Sequence, residues 1–142
     1  PLRENEDEIL GEYLLIDYYT PTGLNEMQAG YYGLFSKPGV RIYHVDARID
    51  PNIGNQKNLN GYYSIFSFNN SDTNYKVIEM IEKDKDNSIG KTGISSNNDL
   101  FTAGSSLNFI YNHDNVKYDY TIKVTSIHTT ATITITKNKS EK

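Results

Sequence analysis

The chain of 142 residues contains no cysteine and no tryptophan. Without cysteine, thiol catalysis, cysteine-ligated zinc and disulfide cross-links are excluded. No apolar run approaches the roughly 18 residues that a membrane-spanning helix needs. The net charge of −4 is spread along the chain without a basic patch, which argues against nucleic-acid binding. What remains is a chain of one-domain length that can bury a core without disulfides or metals.

The residues that are abundant favour β structure. Twelve tyrosines and five phenylalanines accompany many Thr, Ser and Asn residues, and Tyr and Thr favour strands whereas Asn favours turns. Short apolar or alternating runs separated by turn residues predict strands at 11–19 (with both faces covered), 40–49, 62–68, 75–84, 106–111, 117–124 and 131–137. We therefore expect an all-β fold, an antiparallel, jelly-roll-like sandwich of about seven or more strands with long polar loops, including 20–39 and 85–99.

The chain is expected to form one domain over residues 11–137. Residues 1–10 predict an acidic lead-in and residues 138–142 a solvated tail. A start at Pro1 rather than Met favours a fragment of a longer protein. The predicted core lies on the alternating or doubly covered stretches and comprises Ile16, Val40, Ile42, Val45, Val77, Phe101, Ile122, Val124, Ile133 and Ile135.

The histidines do not form a recognisable zinc motif. A zinc hydrolase needs three protein ligands, often two from one helix in the pattern H-E-x-x-H. No two of the three histidines, His44, His113 and His128, have a ligand spacing. His113 and His128 fall in predicted turns, where a solvated side chain is expected. No catalytic residue is assigned in this chain.

The segment "VRIYHVDARID" (40–50) places polar residues in an otherwise apolar strand. His44 and Asp46 are two residues apart, so they share a face of the strand with Val40 and Ile42. A buried carboxylate is costly unless it is paired or hydrogen-bonded. We interpret His44 and Asp46 as structural polar residues, with Arg41, Arg48 or loop N–H groups as partners for the aspartate.

Calcium binding stays open as the alternative. Asp84, Asp86 and Ser88 imitate the start of an EF-hand loop, but Ile89 and Ser95 occupy the places of its Gly and its final Glu. A polar loop is the favoured interpretation of that stretch. A site of another kind would draw on the weak calcium candidates Asp46, Asp50, Asp84 and Asp99.

Three blocks together resemble a known family. "EYLLIDYY" (12–19) and "GVRIYHVD" (39–46) are similar to E-Y-F-L-I-E-N-R and G-L-L-I-W-H-I-D of the immune inhibitor A-type secreted bacterial metallopeptidases. "VIEMIEKD" (77–84) with "NNDLFTAG" (97–104) resembles that family's strand ending in A-D-G and its later G-D-L-F-P-G. "YTIKVTSIHTTATITIT" (120–136) resembles the closing hairpin of the same region. Asp17, Tyr43 and Thr102 depart from the usual Glu, Trp and Pro.

The resemblance implies a non-catalytic piece of a secreted or surface bacterial metallopeptidase-like protein. The family's zinc helix lies upstream of this region and is absent here, so zinc is expected only in the missing part. The domain would support the peptidase part of the same polypeptide or contact a protein or glycan substrate. An independent module for carbohydrate or surface ligands and a structural spacer are the alternatives; twelve tyrosines suit a sugar platform, whereas the lack of tryptophan does not.

Overall fold

The computed structural model describes residues 12–46, 49–50, 63–64, 78–111 and 116–138. Most of this part of the chain is β structure, so the all-β class is confirmed. The strands are β1 (Glu12–Tyr19), β2 (Gly39–Asp46), β3 (Ile49–Asp50), β4 (Tyr63–Ser64), β5 (Ile78–Met80), β6 (Ser106–Tyr111), β7 (Lys117–Ile127) and β8 (Ala131–Lys137). A five-residue helix, α1 (Ser88–Thr92), and a 3-10 turn (Gly23–Asn25) interrupt the loops.

The described strands form antiparallel sheets that remain open. Two sheets have three strands, in the orders β1-β2-β5 and β6-β7-β8, and β3 pairs with β4. The pairing of β6 with β7 and of β7 with β8 is interrupted once in each case by a register shift. Strands at 106–111 and 131–137 have the predicted bounds, and the strand predicted at 117–124 continues to Ile127.

Three local predictions are wrong. The strand predicted at 75–84 ends at Met80, and residues 81–84 are not in a strand. The strand at 11–19 is not covered on both faces, since Tyr13 and Leu15 are exposed on β1 and burial alternates along it. The predicted loop 85–99 contains α1, whose first turn is stabilised by contacts from outside the helix that the sequence pattern does not reveal.

The chain divides into two compact units, residues 1–15 with 43–79 and residues 16–42 with 80–142. In the first unit, the described side chains include Glu12, His44, Val45 and Asp46, all buried. The second unit contains most of the described buried apolar side chains. We describe each unit separately.

An aromatic and aliphatic cluster forms part of the core of the second unit. Tyr19, Phe35 and Leu100 are buried together, with Met80 packed against them. The Tyr19 ring lies edge-on to that of Phe35 at a centroid distance of 5.6 Å, and its hydroxyl donates to the Phe35 carbonyl at 2.7 Å. Leu100 lies so close to Gly39 that a Cβ there would approach its Cβ to 2.6 Å, so only glycine fits.

Most of the predicted core is confirmed. Val40, Ile42, Val45, Phe101, Ile122 and Val124 are buried, and Ile16 and Ile133 are half-buried. Val77 lies outside the described residues. Ile135 was predicted in the core, but it is 61% exposed. Its strand, β8, is at the edge of its sheet and has little packed against it, so alternation there does not produce a buried face.

Candidate cation site

Main-chain pairing beside β2 positions two acidic residues. The Ile81 N–H donates to the Ile42 carbonyl at 2.8 Å, and the Lys83 N–H donates to the Asp99 carbonyl at 3.1 Å. Val40 and Phe101 exchange two hydrogen bonds of 2.9 Å. The segments that carry Glu82 and Asp99 are therefore held next to the second unit's part of β2.

A tight turn brings two more carboxylates to the same place. Lys85 and Asn87 adopt positive φ angles of 63° and 57°, a left-handed conformation that Asn tolerates better than most residues. The Asp84 carboxylate accepts a hydrogen bond from the Asp86 N–H at 3.4 Å, and that of Asp86 accepts one from the Ser88 N–H at 2.8 Å. The turn thereby curls Asp84 and Asp86 back towards the end of β5.

The Glu82 carboxylate is anchored to the start of α1. Its Oε2 accepts from the Ser88 N–H at 2.8 Å and its Oε1 from the Ile89 N–H at 3.0 Å. The first N–H groups of a helix have no partner inside the helix, so Glu82 satisfies two of them. This contact from a residue outside the helix stabilises its first turn within a polar, Gly-containing sequence.

The four acidic side chains converge. Glu82, Asp84, Asp86 and Asp99 each offer one carboxylate oxygen, and these oxygens lie within 4.8 Å of one another. Glu82 and Asp99 are buried, whereas Asp84 and Asp86 are exposed. We call these residues the acidic cluster.

Asp99 is the member of the cluster that has a buried carboxylate oxygen without a hydrogen-bond partner. The residue is fully buried. Its Oδ2 accepts a hydrogen bond from the Ser96 N–H at 2.6 Å, but its Oδ1 is buried and has no hydrogen-bond partner. A buried acceptor left unsatisfied costs about 1–3 kcal/mol, and more if it is charged.

The pKa values of the cluster are shifted first by burial and by main-chain N–H groups, and then by the neighbouring carboxylates. Burial raises the pKa of Glu82, the neighbouring Asp86 adds to this, and the N–H groups of Ser88 and Ile89 oppose it. Burial likewise raises the pKa of Asp99, against the Ser96 N–H and with support from the charges of Asp84 and Asp86. The pKa of the exposed Asp86 is lowered, first by the Ser88 N–H and then by its hydrogen bond with Glu82.

Protein cations do little to neutralise this charge. Lys91 favours the ionised form of Asp86, but its Nζ donates to the Asp86 main-chain carbonyl at 2.7 Å. Across the described part of the chain, no Lys or Arg side chain forms an ion pair with the acidic cluster. The arrangement therefore concentrates negative charge around a partly buried position.

Asp84 and Asp99, two of the sequence candidates, are brought together by the fold. Glu82 is not among the sequence candidates, and Asp86 appears in the sequence only as part of the incomplete EF-hand pattern. The sequence carried a signal for them, because acidic residues alternate at 82, 84 and 86, but Glu82 was assigned to a strand. Asp99 lies outside the 12-residue loop that an EF-hand beginning at Asp84 would use, so the EF-hand spacing does not identify it.

The remaining candidates lie elsewhere. His44 Nε2 is 2.7 Å from Glu12 Oε1, and both side chains are buried in the first unit. Glu12 was not foreseen as the partner of His44. Asp46 is fully buried, and it does not belong to the acidic cluster. The structural role of His44 and Asp46 stays a prediction, and the side chain of Asp50 lies outside the described residues.

His128 and Arg41 also lie outside the acidic cluster. His128 is exposed, and its carbonyl accepts a hydrogen bond from the Tyr18 hydroxyl at 2.7 Å. His113 lies outside the described residues. Arg41, a candidate partner of Asp46, forms an ion pair with Asp17 through two hydrogen bonds, one of them from Nε to Oδ1 at 2.9 Å.

Comparisons with known proteins do not assign a family. The chain matches no family model, no curated protein and no solved structure. Among the described residues, no helix is both long enough and apolar enough to cross a bilayer. The family resemblance of the sequence therefore stays an expectation.

Proposed function

We propose that this chain is a β domain that binds Ca²⁺ at the acidic cluster. The observation that carries the proposal is the Asp99 carboxylate, fully buried among three other carboxylates, with an Oδ1 that no hydrogen-bond donor satisfies. A bound cation would supply the missing partner for this oxygen. It would also relieve the repulsion that accompanies four converging carboxylates.

The set of four carboxylates suits Ca²⁺, a hard cation that binds oxygen at about 2.3–2.6 Å. Ligands on opposite sides of such an ion lie roughly 5 Å apart, and the cluster's oxygens, all within 4.8 Å of one another, are compatible with this span. Mg²⁺ binds oxygen at about 2.0–2.1 Å and usually retains several waters, so it is less suited to a site built from several protein carboxylates. Zn²⁺ and copper favour nitrogen or sulfur ligands, which the cluster does not offer.

The proposed role of the cation is to stabilise the fold around β2 and α1. The cluster joins the end of β5, the turn before α1 and the segment that leads to Phe101. Asp99 lies on a different segment from Glu82, Asp84 and Asp86, so a single ion that binds all four opposes the separation of the two segments. A ligand that binds only the native state adds stability in proportion to the logarithm of its concentration over Kd.

Calorimetric titration of metal-free protein with CaCl₂ and, separately, MgCl₂ tests the proposal. We expect binding at one site, with Ca²⁺ tighter than Mg²⁺. Asp99→Asn keeps the shape and removes the charge, and it should weaken Ca²⁺ binding at least about tenfold, because hydrogen bonds and contacts to charged groups are worth about 1.5–3 kcal/mol. The matched control is Asp119→Asn, whose half-exposed carboxylate faces Lys117 at 3.2 Å on β7. No heat of Ca²⁺ binding, or equal weakening by both substitutions, contradicts the proposal.

The wider role follows the family resemblance. We propose a non-catalytic domain of a secreted or surface metallopeptidase-like protein, with the described sheets arranged as part of a jelly-roll-like sandwich. The support is the run of matching motifs that includes Asp84 and Asp99, both members of the acidic cluster. Incubating the chain with casein and zinc tests its lack of activity, and cleavage that a chelator abolishes contradicts it.

Carbohydrate binding is the second candidate, and one observation favours it. Tyr31 and Tyr32 are neighbours in the loop after β1, and both rings are exposed. Exposed aromatic faces are the usual platform for sugar rings. A glycan array that gives signal with the chain and loses it with Tyr32→Ala supports this candidate, and an array without signal favours the structural role.

A further inference from the structure

We infer that Ca²⁺ at the acidic cluster controls the order of residues 20–38, here called the aromatic loop, through the side chains of Ser95 and Asn97. This inference rests on the proposed Ca²⁺ site, and it identifies the aromatic loop as the segment that Ca²⁺ binding orders. The loop and the cluster both belong to the second unit.

The aromatic loop is attached to the segment 93–98 by a compact set of hydrogen bonds. Asn97 Oδ1 accepts from the Ser36 N–H at 2.9 Å and from the Lys37 N–H at 3.0 Å, and Asn97 Nδ2 donates to Ser36 Oγ at 2.9 Å. The Ser95 N–H and hydroxyl both donate to the Gly33 carbonyl, at 3.1 Å and 2.7 Å. One short segment therefore satisfies main-chain groups along residues 33–37 of the loop.

The segment 93–98 is itself fixed at both ends by the acidic cluster. At its start, α1 is anchored through the Ser88 and Ile89 N–H groups to Glu82. At its end, Asp99 accepts from the Ser96 N–H through Oδ2, and the Asp99 N–H donates to the Ser96 carbonyl at 3.1 Å. A cation that draws Glu82 and Asp99 together thus fixes the spacing of the two ends.

Without the cation, the same two residues have a reason to separate. Their carboxylates converge with those of Asp84 and Asp86, and like charges at this distance repel. Any movement of Asp99 shifts Ser96 with it and displaces Ser95 and Asn97 from the loop. The coupling is therefore mechanical, through hydrogen bonds on adjacent residues.

Besides the contacts of Ser95 and Asn97, the aromatic loop is held by local main-chain turn hydrogen bonds between Thr22 and Leu34 and by few buried side chains. Phe35 is its buried anchor, whereas Leu24, Met27, Tyr31 and Tyr32 are exposed, Leu24 and Tyr32 to 99% and 90%. Segments with few buried contacts open at low free-energy cost. Loss of the Ser95 and Asn97 contacts should therefore speed exchange at residues 33–37, where these contacts lie, and leave the β7–β8 hairpin unaffected.

Hydrogen exchange followed by mass spectrometry on the whole chain, with and without CaCl₂, tests the coupling. We expect Ca²⁺ to slow exchange across residues 33–37 by about fivefold or more, the lower end of ordinary coupling between sites. Amides of the β7–β8 hairpin act as the internal reference. Asn97→Ala should abolish most of this protection, and the adjacent Asn98→Ala, whose exposed side chain makes none of these contacts, should retain it.

Thermodynamic linkage between Ca²⁺ binding and the order of the loop gives a quantitative check of the coupling. Because coupling is reciprocal, Asn97→Ala should weaken Ca²⁺ binding by no more than the factor by which Ca²⁺ protects the wild-type loop. If Asn97→Ala fails to fold, Ser95→Ala, which loses only the hydroxyl contact with Gly33, should give a partial loss of protection. Calorimetric Ca²⁺ binding without any change of exchange at 33–37, or full protection in Asn97→Ala, overturns the coupling alone. Absence of Ca²⁺ binding overturns the proposed function as well.

Discussion

The buried carboxylates of Glu82 and Asp99 have oxygens within 4.8 Å of each other. The two residues lie on paired segments, which are joined by the hydrogen bond from the Lys83 N–H to the Asp99 carbonyl. Buried carboxylates normally avoid such proximity because each resists the ionisation of the other. Here main-chain pairing and the N–H groups of α1 and Ser96 enforce it. Under the proposed function, this position holds either protons or Ca²⁺, and the two states respond to pH in opposite directions.

The first prediction concerns pH. Since the pKa values of Glu82 and Asp99 are raised above their ordinary 4.5 and 3.8, their contribution to stability without metal is complete below those values and is lost as pH rises through the folded pKa values. Metal-free protein should therefore gain stability relative to Asp99→Asn when pH falls from neutral to 4.5, the ordinary value for Glu82. The lowered pKa of Asp86 changes the free energy of unfolding only near and below its ordinary value of 3.8, outside this window.

Urea unfolding of both proteins at the two pH values measures this difference. With saturating Ca²⁺ the sign should reverse, because protons then compete with the cation for the same oxygens. A difference between wild type and Asp99→Asn that does not change with pH in metal-free buffer contradicts the prediction.

The second prediction separates Asp46 from the cation site. Asp46→Asn should lower the free energy of unfolding by about 1–3 kcal/mol, because Asp46 is fully buried and its partners lose a charged acceptor. The Ca²⁺-dependent rise in Tm should persist in this variant, since Asp46 is not part of the acidic cluster. Thermal melts with CaCl₂ and with chelator decide it. A rise that vanishes in Asp46→Asn would make the "HVD" segment the metal site.

The third prediction concerns the buried pair of Glu12 and His44. Truncating Glu12 to Ala leaves the buried imidazole without the carboxylate 2.7 Å away, and leaving a buried polar group without its hydrogen-bond partner costs about 1–3 kcal/mol. Chemical denaturation measures the loss. The exposed Asp119 serves as the control, with Asp119→Ala expected within about 0.5 kcal/mol of wild type. Equal stabilities of the two variants are the outcome that would refute a structural role for this pair.

The fourth prediction uses two isoleucines that face each other across β7 and β8. Ile122 and Ile135 are directly paired, but Ile122 is 2% exposed and Ile135 is 61% exposed. Ile122→Ala should therefore cost about 2–5 kcal/mol. Ile135→Ala should cost about 0.5 kcal/mol or less, as expected for a surface position. Denaturant midpoints for the two variants provide the test, and similar losses would place both in the core.

The local pattern of residues determined most of the β structure. Alternation of apolar residues predicted β2, β7 and β8, because a strand directs successive side chains to opposite faces. The same alternation placed Val40, Ile42, Ile122 and Val124 inside. It failed for Ile135 because periodicity identifies a face, whereas burial depends on what packs against that face.

The tertiary structure alone decided the candidate site. Acidic residues at 82, 84 and 86 are close in sequence, but Asp99 reaches them only because Lys83 pairs with it and Phe101 pairs with Val40. In the same way, Glu12 meets His44 and Asn97 meets Ser36 across long stretches of chain. A sequence specifies which side chains are able to bind a cation. Their convergence depends on long-range pairing and burial, and spacing along the chain does not encode it.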